Sequence, residues 1–130
     1  MILLLSTYNN GNTDQVKVTI GDSKKFSKTE IQSAVDCVLK KFKNYDGRTL
    51  TDLWYEEGRS NLMVDGYMSN GRGSVNGVKK SNVIVLLSNF KVDSSGPNIG
   101  FNSNSIVSGW NWILIRDDKS GSWKVDDSGY

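Results

Sequence analysis

Residues 82–93 read NVIVLLSNFKVD, an apolar run that changes to an alternation of apolar and polar residues towards its end. A run of this length and composition is typical of a β-strand with at least one buried face. Further along the chain, residues 106–116 read IVSGWNWILIR, and residues 123–126 read WKVD after a turn at 118–121. The sequence therefore predicts three antiparallel strands, with a Ser-, Gly- and Asn-rich loop at 94–105 between the first two.

A helix is predicted upstream of these strands. Ser27 and Glu30 have the spacing of a capping box, in which each residue hydrogen bonds to the backbone of the other. Asp46 and Gly47 end the predicted helix. Apolar side chains recur between these signals at steps of three and four residues, at positions 31, 34, 35, 38, 39 and 42. One stripe of this helix can therefore pack against a sheet.

The remaining segments complete an α+β pattern. Short strands are predicted at 16–20 and 50–55, residues 56–67 fit either a short helix or irregular structure, and the glycine-rich residues 69–78 fit a mobile loop. Because most strands follow the helix, we expect one main N-terminal helix packed on a curved antiparallel sheet. The predicted organisation is a flexible arm at 1–15 and a single domain at 16–130.

Four blocks of sequence resemble a known family. They are TLTDLWY at 49–55, VLLSNFKVD at 85–93, WNWILIR at 110–116 and GSWKVDDSGY at 121–130. Together they resemble a family of uncharacterised bacterial proteins, many of them described as lipoproteins, and the resemblance covers residues 17–130. It implies a fold similar to the cystatin-like, or nuclear-transport-factor-two-like, cone. It implies no activity and no functional residues.

The composition argues against a conventional enzyme. The chain has no His, one Cys and a net charge of +2. Without His it lacks the commonest general base and the commonest transition-metal ligand, and Cys37 has no His to activate it as a nucleophile. We therefore predict no catalytic residues, no metal and no cofactor. The modest net charge does not indicate a nucleic-acid partner.

The compartment depends on how the first residues are interpreted. Residues 1–5, MILLL, are apolar but too few to cross a membrane. They fit a short first strand, or the remnant of a longer export signal. The family resemblance implies an extracytoplasmic location, whereas a native start at Met1 implies the cytoplasm. The sequence MILLLSTY also lacks the cysteine that a lipoprotein signal would need.

Two groups of side chains are candidates for binding. Aromatic side chains on neighbouring strands either pair in the core or line a pocket or a protein-binding face. Basic side chains near the glycine-rich segment either remain solvated or attract an acidic partner. The aromatic group is Trp54, Tyr55, Trp110, Trp112 and Trp123, and the basic group is Arg72, Lys79 and Lys80.

The sequence predicts a non-catalytic binding module. The preferred hypothesis is an extracytoplasmic accessory domain that binds a small-molecule ligand or a protein. A second hypothesis is a small inhibitor, such as an immunity protein against a toxin or a phage-type inhibitor of a nuclease. A third is a hydrolase or isomerase that uses Asp and Tyr in a pocket.

Overall fold

The computed structural model describes residues 11–93 and 104–130. Within them the five strands form one open sheet in the order β1-β2-β3-β4-β5, and short 3-10 turns lie at Arg72–Ser74 and Lys80–Asn82. In chain order the elements are β1 (Lys17–Ile20), α1 (Lys28–Phe42), β2 (Arg48–Tyr55), α2 (Glu57–Asn70), β3 (Val83–Val92), β4 (Ile106–Ile115) and β5 (Lys124–Gly129). The predicted α+β class is confirmed.

The sheet is mixed, with a parallel pair at one edge. Strands β2 to β5 pair antiparallel with their neighbours, as predicted, whereas β1 pairs parallel with β2. Parallel neighbours need a crossover connection, and α1 supplies it here. The sequence prediction of a wholly antiparallel sheet is therefore corrected at β1. The edge position of β1 also explains why the apolar side chain of Val18 remains 37% exposed.

Helix α1 begins where its capping signal predicts. The Ser27 N–H donates to Glu30 Oε1 (2.8 Å), and the Glu30 N–H donates to Ser27 Oγ (3.1 Å). These two bonds satisfy backbone donors that the first helical turn leaves without partners. The apolar stripe of α1 is buried at Ile31, Ala34, Val35, Val38 and Phe42.

The segment that the sequence left open, 56–67, belongs to the second helix. The Glu56 side chain caps α2 by accepting the N–H groups of Gly58 (2.6 Å) and Arg59 (3.0 Å). Glu57 ties the helix to the β1–α1 loop, because it accepts the Lys24 N–H (2.9 Å) and the Ser23 hydroxyl. The sequence prediction did not identify this helix because its apolar periodicity is weak: only Ser60, Val64 and Tyr67 are buried.

The two helices cover opposite faces of the sheet. In β3, Ile84 and Leu86 belong to the cluster under α1, whereas Val83 and Val85 belong to the cluster under α2. Successive residues of a strand point to opposite faces, so these memberships assign one helix to each face. We call the α1 side the first face and the α2 side the second face. The first face holds most of the core.

Three β-bulges adjust which side chains reach each face. The register shifts at Thr51 in β2, at Gly109 in β4 and at Asp126 in β5. Gly109 has φ +72°, a conformation that favours glycine. Because the extra residue reverses the alternation, Val107 and Trp110 both pack with the first face. Bulges also bend and twist a strand, which curves the sheet.

Two predicted flexible segments are only partly described. The Gly11 N–H donates to the Lys43 carbonyl (3.0 Å) and the Asn12 N–H to the Arg48 carbonyl (2.9 Å), so the inner end of the predicted arm contacts the domain. Residues 1–10, and most of the predicted loop at 94–105, lie outside the described residues. The segment predicted as a mobile loop at 69–78 includes the end of α2 and a 3-10 turn.

Candidate functional site

Helix α2 covers only part of the second face. Val64 and Tyr67 pack on Val83 and Val85, beyond the point where β2 leaves β3, and Ser60 Oγ accepts the Val85 N–H there (3.0 Å). The part of this face formed by β1, β2 and the far half of β3 is open. It carries a cavity of 350 Å³, which we call the open groove. The groove is lined by Lys17, Thr19, Gly21, Asp52, Trp54, Tyr55, Glu56 and Asn89.

Trp54 supplies the aromatic surface of the open groove. The bulge at Thr51 directs Leu50 and Leu53 to the core and leaves Asp52 and Trp54 on the second face. The indole is half-buried, although Trp is among the side chains that gain most from burial. An aromatic ring held in a concave site can stack against the flat apolar face of a ligand.

A polar network stands beside the indole. The Thr51 hydroxyl (2.9 Å) and the Asn89 amide (3.2 Å) both donate to Asp52 Oδ2. Asn89 Oδ1 accepts the N–H of Gly109, the bulge residue of β4 (3.0 Å). Lys17 lies opposite Asp52 across the β1–β2 pair. Because the carboxylate and the amide are held by backbone and side-chain partners, the groove offers polar groups in a fixed arrangement.

Most of the other aromatic candidates are core residues. Trp112 is fully buried under α1, packs against Tyr45 with ring centroids 5.2 Å apart, and donates from Nε1 to Ser88 Oγ (2.8 Å). Trp123 is 8% exposed and donates to the Glu30 carbonyl (3.0 Å). Trp110 is half-buried and packs against the same core. Tyr55 is 2% exposed and belongs to the same core. The hypothesis of a binding surface is therefore corrected to core packing for Tyr55, Trp112 and Trp123, whereas for Trp110 it stays a prediction.

The basic candidates do not form one patch. Arg72 binds Asp126 (3.0 Å), and Lys80 forms an ion pair with Asp65. Lys79 is exposed and lines, together with Arg72, a separate cavity of 420 Å³. The Tyr67 hydroxyl also donates to Asp126 (2.6 Å), which ties the segment after α2 to the sheet.

Comparison with known proteins places the chain in a family. The model of a domain of unknown function (DUF4829) matches residues 6–129. The chain belongs to this family. The match agrees with the resemblance to a family without an established activity, and the bacterial lipoprotein character stays a prediction. No curated protein and no solved structure matches the chain.

Three carboxyl groups of this DUF4829 domain are tied into the fold by hydrogen bonds. Hydrogen bonds from the Lys24 backbone and the Ser23 hydroxyl lower the pKa of Glu57 to about 2. A hydrogen bond from the Ser27 backbone lowers the pKa of Glu30. Burial acts to raise the pKa of Asp126, but hydrogen bonds from Tyr67 and Arg72 outweigh it and lower that pKa. These groups are therefore held as anions by the fold.

Clustered metal ligands and membrane-spanning helices are both absent from the described part of this DUF4829 domain. Across residues 11–93 and 104–130, His, Cys, Asp and Glu side chains nowhere gather in threes that would hold a metal ion. In the same residues, neither helix is long and apolar enough to cross a membrane.

The sequence prediction named only Trp54 and Tyr55 among the residues that line the groove of this DUF4829 domain. Lys17 and Thr19 belong to the short strand predicted at 16–20, and the parallel pairing with β2 places them beside Asp52 and Trp54. Asn89 interrupts the apolar strand β3, and this polar break was the one available signal.

Proposed function

We propose that this DUF4829 domain is a non-catalytic binding module that holds a small polar ligand in the open groove. The observation that carries the proposal is the half-buried Trp54 on a part of the sheet that neither helix covers. A fold that needed this face only for stability would gain by covering the indole, because its burial removes apolar surface from water.

The size and the wall of the groove support this function. Its volume of 350 Å³ lies at the lower end of the range of about 300–1,000 Å³ that small-molecule sites occupy. Trp54 gives the groove an aromatic surface, and Asp52 and Asn89 beside it give fixed polar groups. A ligand with one apolar face and hydroxyl or amide groups at its rim would match both.

The fixed positions of the polar groups support binding with little rearrangement. Thr51 and Asn89 bond only Oδ2 of Asp52, so Oδ1 of this carboxylate faces no other partner within the described residues. A ligand donor that reached this oxygen would meet a carboxylate already oriented by the sheet. Preorganised polar groups lose little entropy on binding.

The protonation of four carboxyl groups outside the groove argues against their use as general acids or bases. General acids and bases work best when their pKa lies near the operating pH. In Glu30, Glu57, Asp118 and Asp126 the pKa is lowered, by hydrogen bonds that hold each group as an anion. Shifts in this direction move the groups away from proton transfer near neutral pH.

The test is an amide NMR titration of the purified chain with a panel of sugars, nucleosides, amino acids and amines. We expect at least one class to shift the amides of Thr19, Asp52, Trp54 and Asn89, and the Trp54→Ala variant to lose that shift. Leu62→Ala is the matched control, because Leu62 is 64% exposed and lies on α2 outside the groove. Shifts that map elsewhere, or that persist in Trp54→Ala, would refute the proposal.

We further propose that the domain works outside the cytoplasm as an accessory module. This rests on the family resemblance of the blocks at 49–55, 85–93, 110–116 and 121–130. Fractionation of the source cell, with detection of the native chain by antibody, should find it in the envelope fraction. Recovery in the cytoplasmic fraction alone would overturn this extension without affecting the groove.

A further inference from the structure

A second concave region runs along the seam between α1 and β5. Two adjoining cavities of 600 and 330 Å³ lie there, and both include Cys37, Lys40 and Trp123 in their walls. One extends towards the turn at 119–122, and the other towards Asn44. We call this region the α1–β5 seam. It lies at the edge of the first face and shares only the sheet with the open groove.

Positive charge is concentrated in the seam. Five cationic and two acidic side chains line the two cavities, a net charge of +3, whereas the whole chain has +2. The rest of the molecule is therefore slightly acidic. The cationic side chains are Lys40, Lys41, Arg116, Lys119 and Lys124, and the acidic ones are Glu30 and Asp36.

The fold neutralises only one of these cations. The guanidinium of Arg116 binds Glu30 (2.7 Å) and lies 4.4 Å from the centre of the Trp123 ring. Asp36 accepts the amide of Gln32 (2.9 Å). The four lysines are exposed, and within residues 11–93 and 104–130 none of them forms an ion pair. Their charge is available to a partner.

The floor of the seam is closed and apolar. Trp123 is buried. The Cys37 thiol donates to the Trp123 carbonyl (3.5 Å), so this backbone acceptor at the edge of the sheet already has a partner. Val125 packs against the same core. From Ser33 to Lys41 the helix rises about 12 Å, the length of about four residues of extended chain.

We propose that the α1–β5 seam docks an extended acidic segment of a partner protein. Its carboxylates face Lys40, Lys41, Lys119 and Lys124, and its backbone lies along the apolar floor. Charge complementarity of this kind speeds association and selects the partner more than it raises affinity. The contact therefore weakens steeply as salt is added.

The same features favour a protein segment over a nucleic acid. Single-stranded nucleic acids need exposed aromatic rings on which bases stack, and the ring of Trp123 is buried. The exposed cations are all lysines, point charges without the planar fork with which arginine grips phosphate. Four cations are also fewer than the roughly six to ten phosphate contacts of a typical duplex-binding protein.

The test measures fluorescence anisotropy of labelled octaglutamate with the full chain at roughly 20 mM and 200 mM salt. Octaglutamine and a single-stranded oligonucleotide are the comparison probes. The variant Lys40→Gln, Lys41→Gln, Lys124→Gln removes three seam charges. The matched control, Lys24→Gln, Lys28→Gln, Lys91→Gln, removes three exposed charges elsewhere. All six side chains are exposed, so both variants should fold, and circular dichroism checks this.

We expect octaglutamate to bind and octaglutamine not to bind. The seam variant should weaken octaglutamate binding about tenfold, and the control variant less than about twofold. Equal losses in the two variants would show attraction to net charge alone and would overturn the proposal. Failure of octaglutamate to bind at low salt, or tighter binding of the oligonucleotide, would also overturn it. None of these outcomes depends on the open groove.

Discussion

The two faces of the sheet are covered to different extents. The first face buries large side chains continuously from Phe26 to Trp123 under α1. The second face has a small apolar cluster around Val64 and Tyr67, and α2 is held there largely by polar ties at Glu57 and Asp126. Beyond that cluster lies the open groove with Trp54.

Under the proposed function, this difference separates stability from recognition. A continuous apolar face contributes most of the free energy of folding, so its substitutions should cost most. A helix held by polar ties at its ends contributes less and depends on ionisation. A half-buried side chain in an open groove contributes least to stability and is the residue on which the proposed binding depends. Substitutions at these three kinds of site should therefore lower the free energy of unfolding by progressively smaller amounts.

The largest effect is expected in the first face, at Trp112. Trp112→Ala leaves a cavity next to Tyr45 and removes the donor to Ser88, so the free energy of unfolding should fall by about 3–5 kcal/mol. Urea denaturation followed by circular dichroism measures it. A loss below about 1 kcal/mol would mean that the first face is not the main source of stability.

The second-largest loss of stability is expected at the polar rim of the first face, at Arg116. Arg116→Ala leaves the Glu30 carboxylate without its partner and removes the cation packed on Trp123. Breaking a buried ion pair costs about 3 kcal/mol. Urea denaturation should therefore show a large loss for Arg116→Ala and a smaller one for Arg116→Met, which retains packing volume. Equal losses would assign the effect to the charge alone.

The stability contributed by Glu57, the tie at the start of α2, should depend on pH. The pKa of Glu57 is about 2 in the folded chain, below its ordinary value of 4.5, so its contribution is complete above pH 4.5 and is lost as the pH falls towards 2. Glu57→Gln should cost about 1.5 kcal/mol at neutral pH, and this difference should shrink in acid. Denaturation of both proteins across this range measures it, and a difference that grows in acid would contradict the assignment.

The Tyr67–Asp126 hydrogen bond, the tie at the end of α2, should contribute less to stability. Tyr67→Phe removes the hydroxyl that donates to Asp126 and accepts the Asn76 amide (2.8 Å), at a cost of about 1 kcal/mol. Burial, first of all, raises the pKa of Tyr67 to about 12, so the bond should persist to alkaline pH. Hydrogen exchange should quicken at residues 71–78 but not in α1. Faster exchange throughout the chain would show that this tie supports the whole fold.

The smallest change in stability is expected at Trp54. Because its indole is only half-buried, Trp54→Ala should lower the free energy of unfolding by less than about 1 kcal/mol while abolishing ligand binding. Denaturation and NMR titration of the same sample measure both. A loss as large as that of Trp112→Ala would place Trp54 in the core and remove the distinction between the two faces.

Local signals in the sequence determined much of this fold. The capping box at Ser27 and Glu30, the apolar stripe of α1 and the apolar runs at 82–93 and 106–116 act over a few residues, and each appears where predicted. The α+β class followed from their order. The absence of His is likewise a property of the sequence alone, and it restricts the chemistry that any site in this chain can perform.

Tertiary structure decided the remaining features, because they depend on contacts between distant residues. The parallel pairing of β1 with β2, the bulges at Thr51 and Gly109, and the placement of α2 on the second face arise from packing across the sheet. These features bury Trp112 and Trp123 but leave Trp54 beside Asp52 and Asn89. The sequence alone did not distinguish Trp54 from Trp112 and Trp123, because the position of each helix over the sheet is set by tertiary packing.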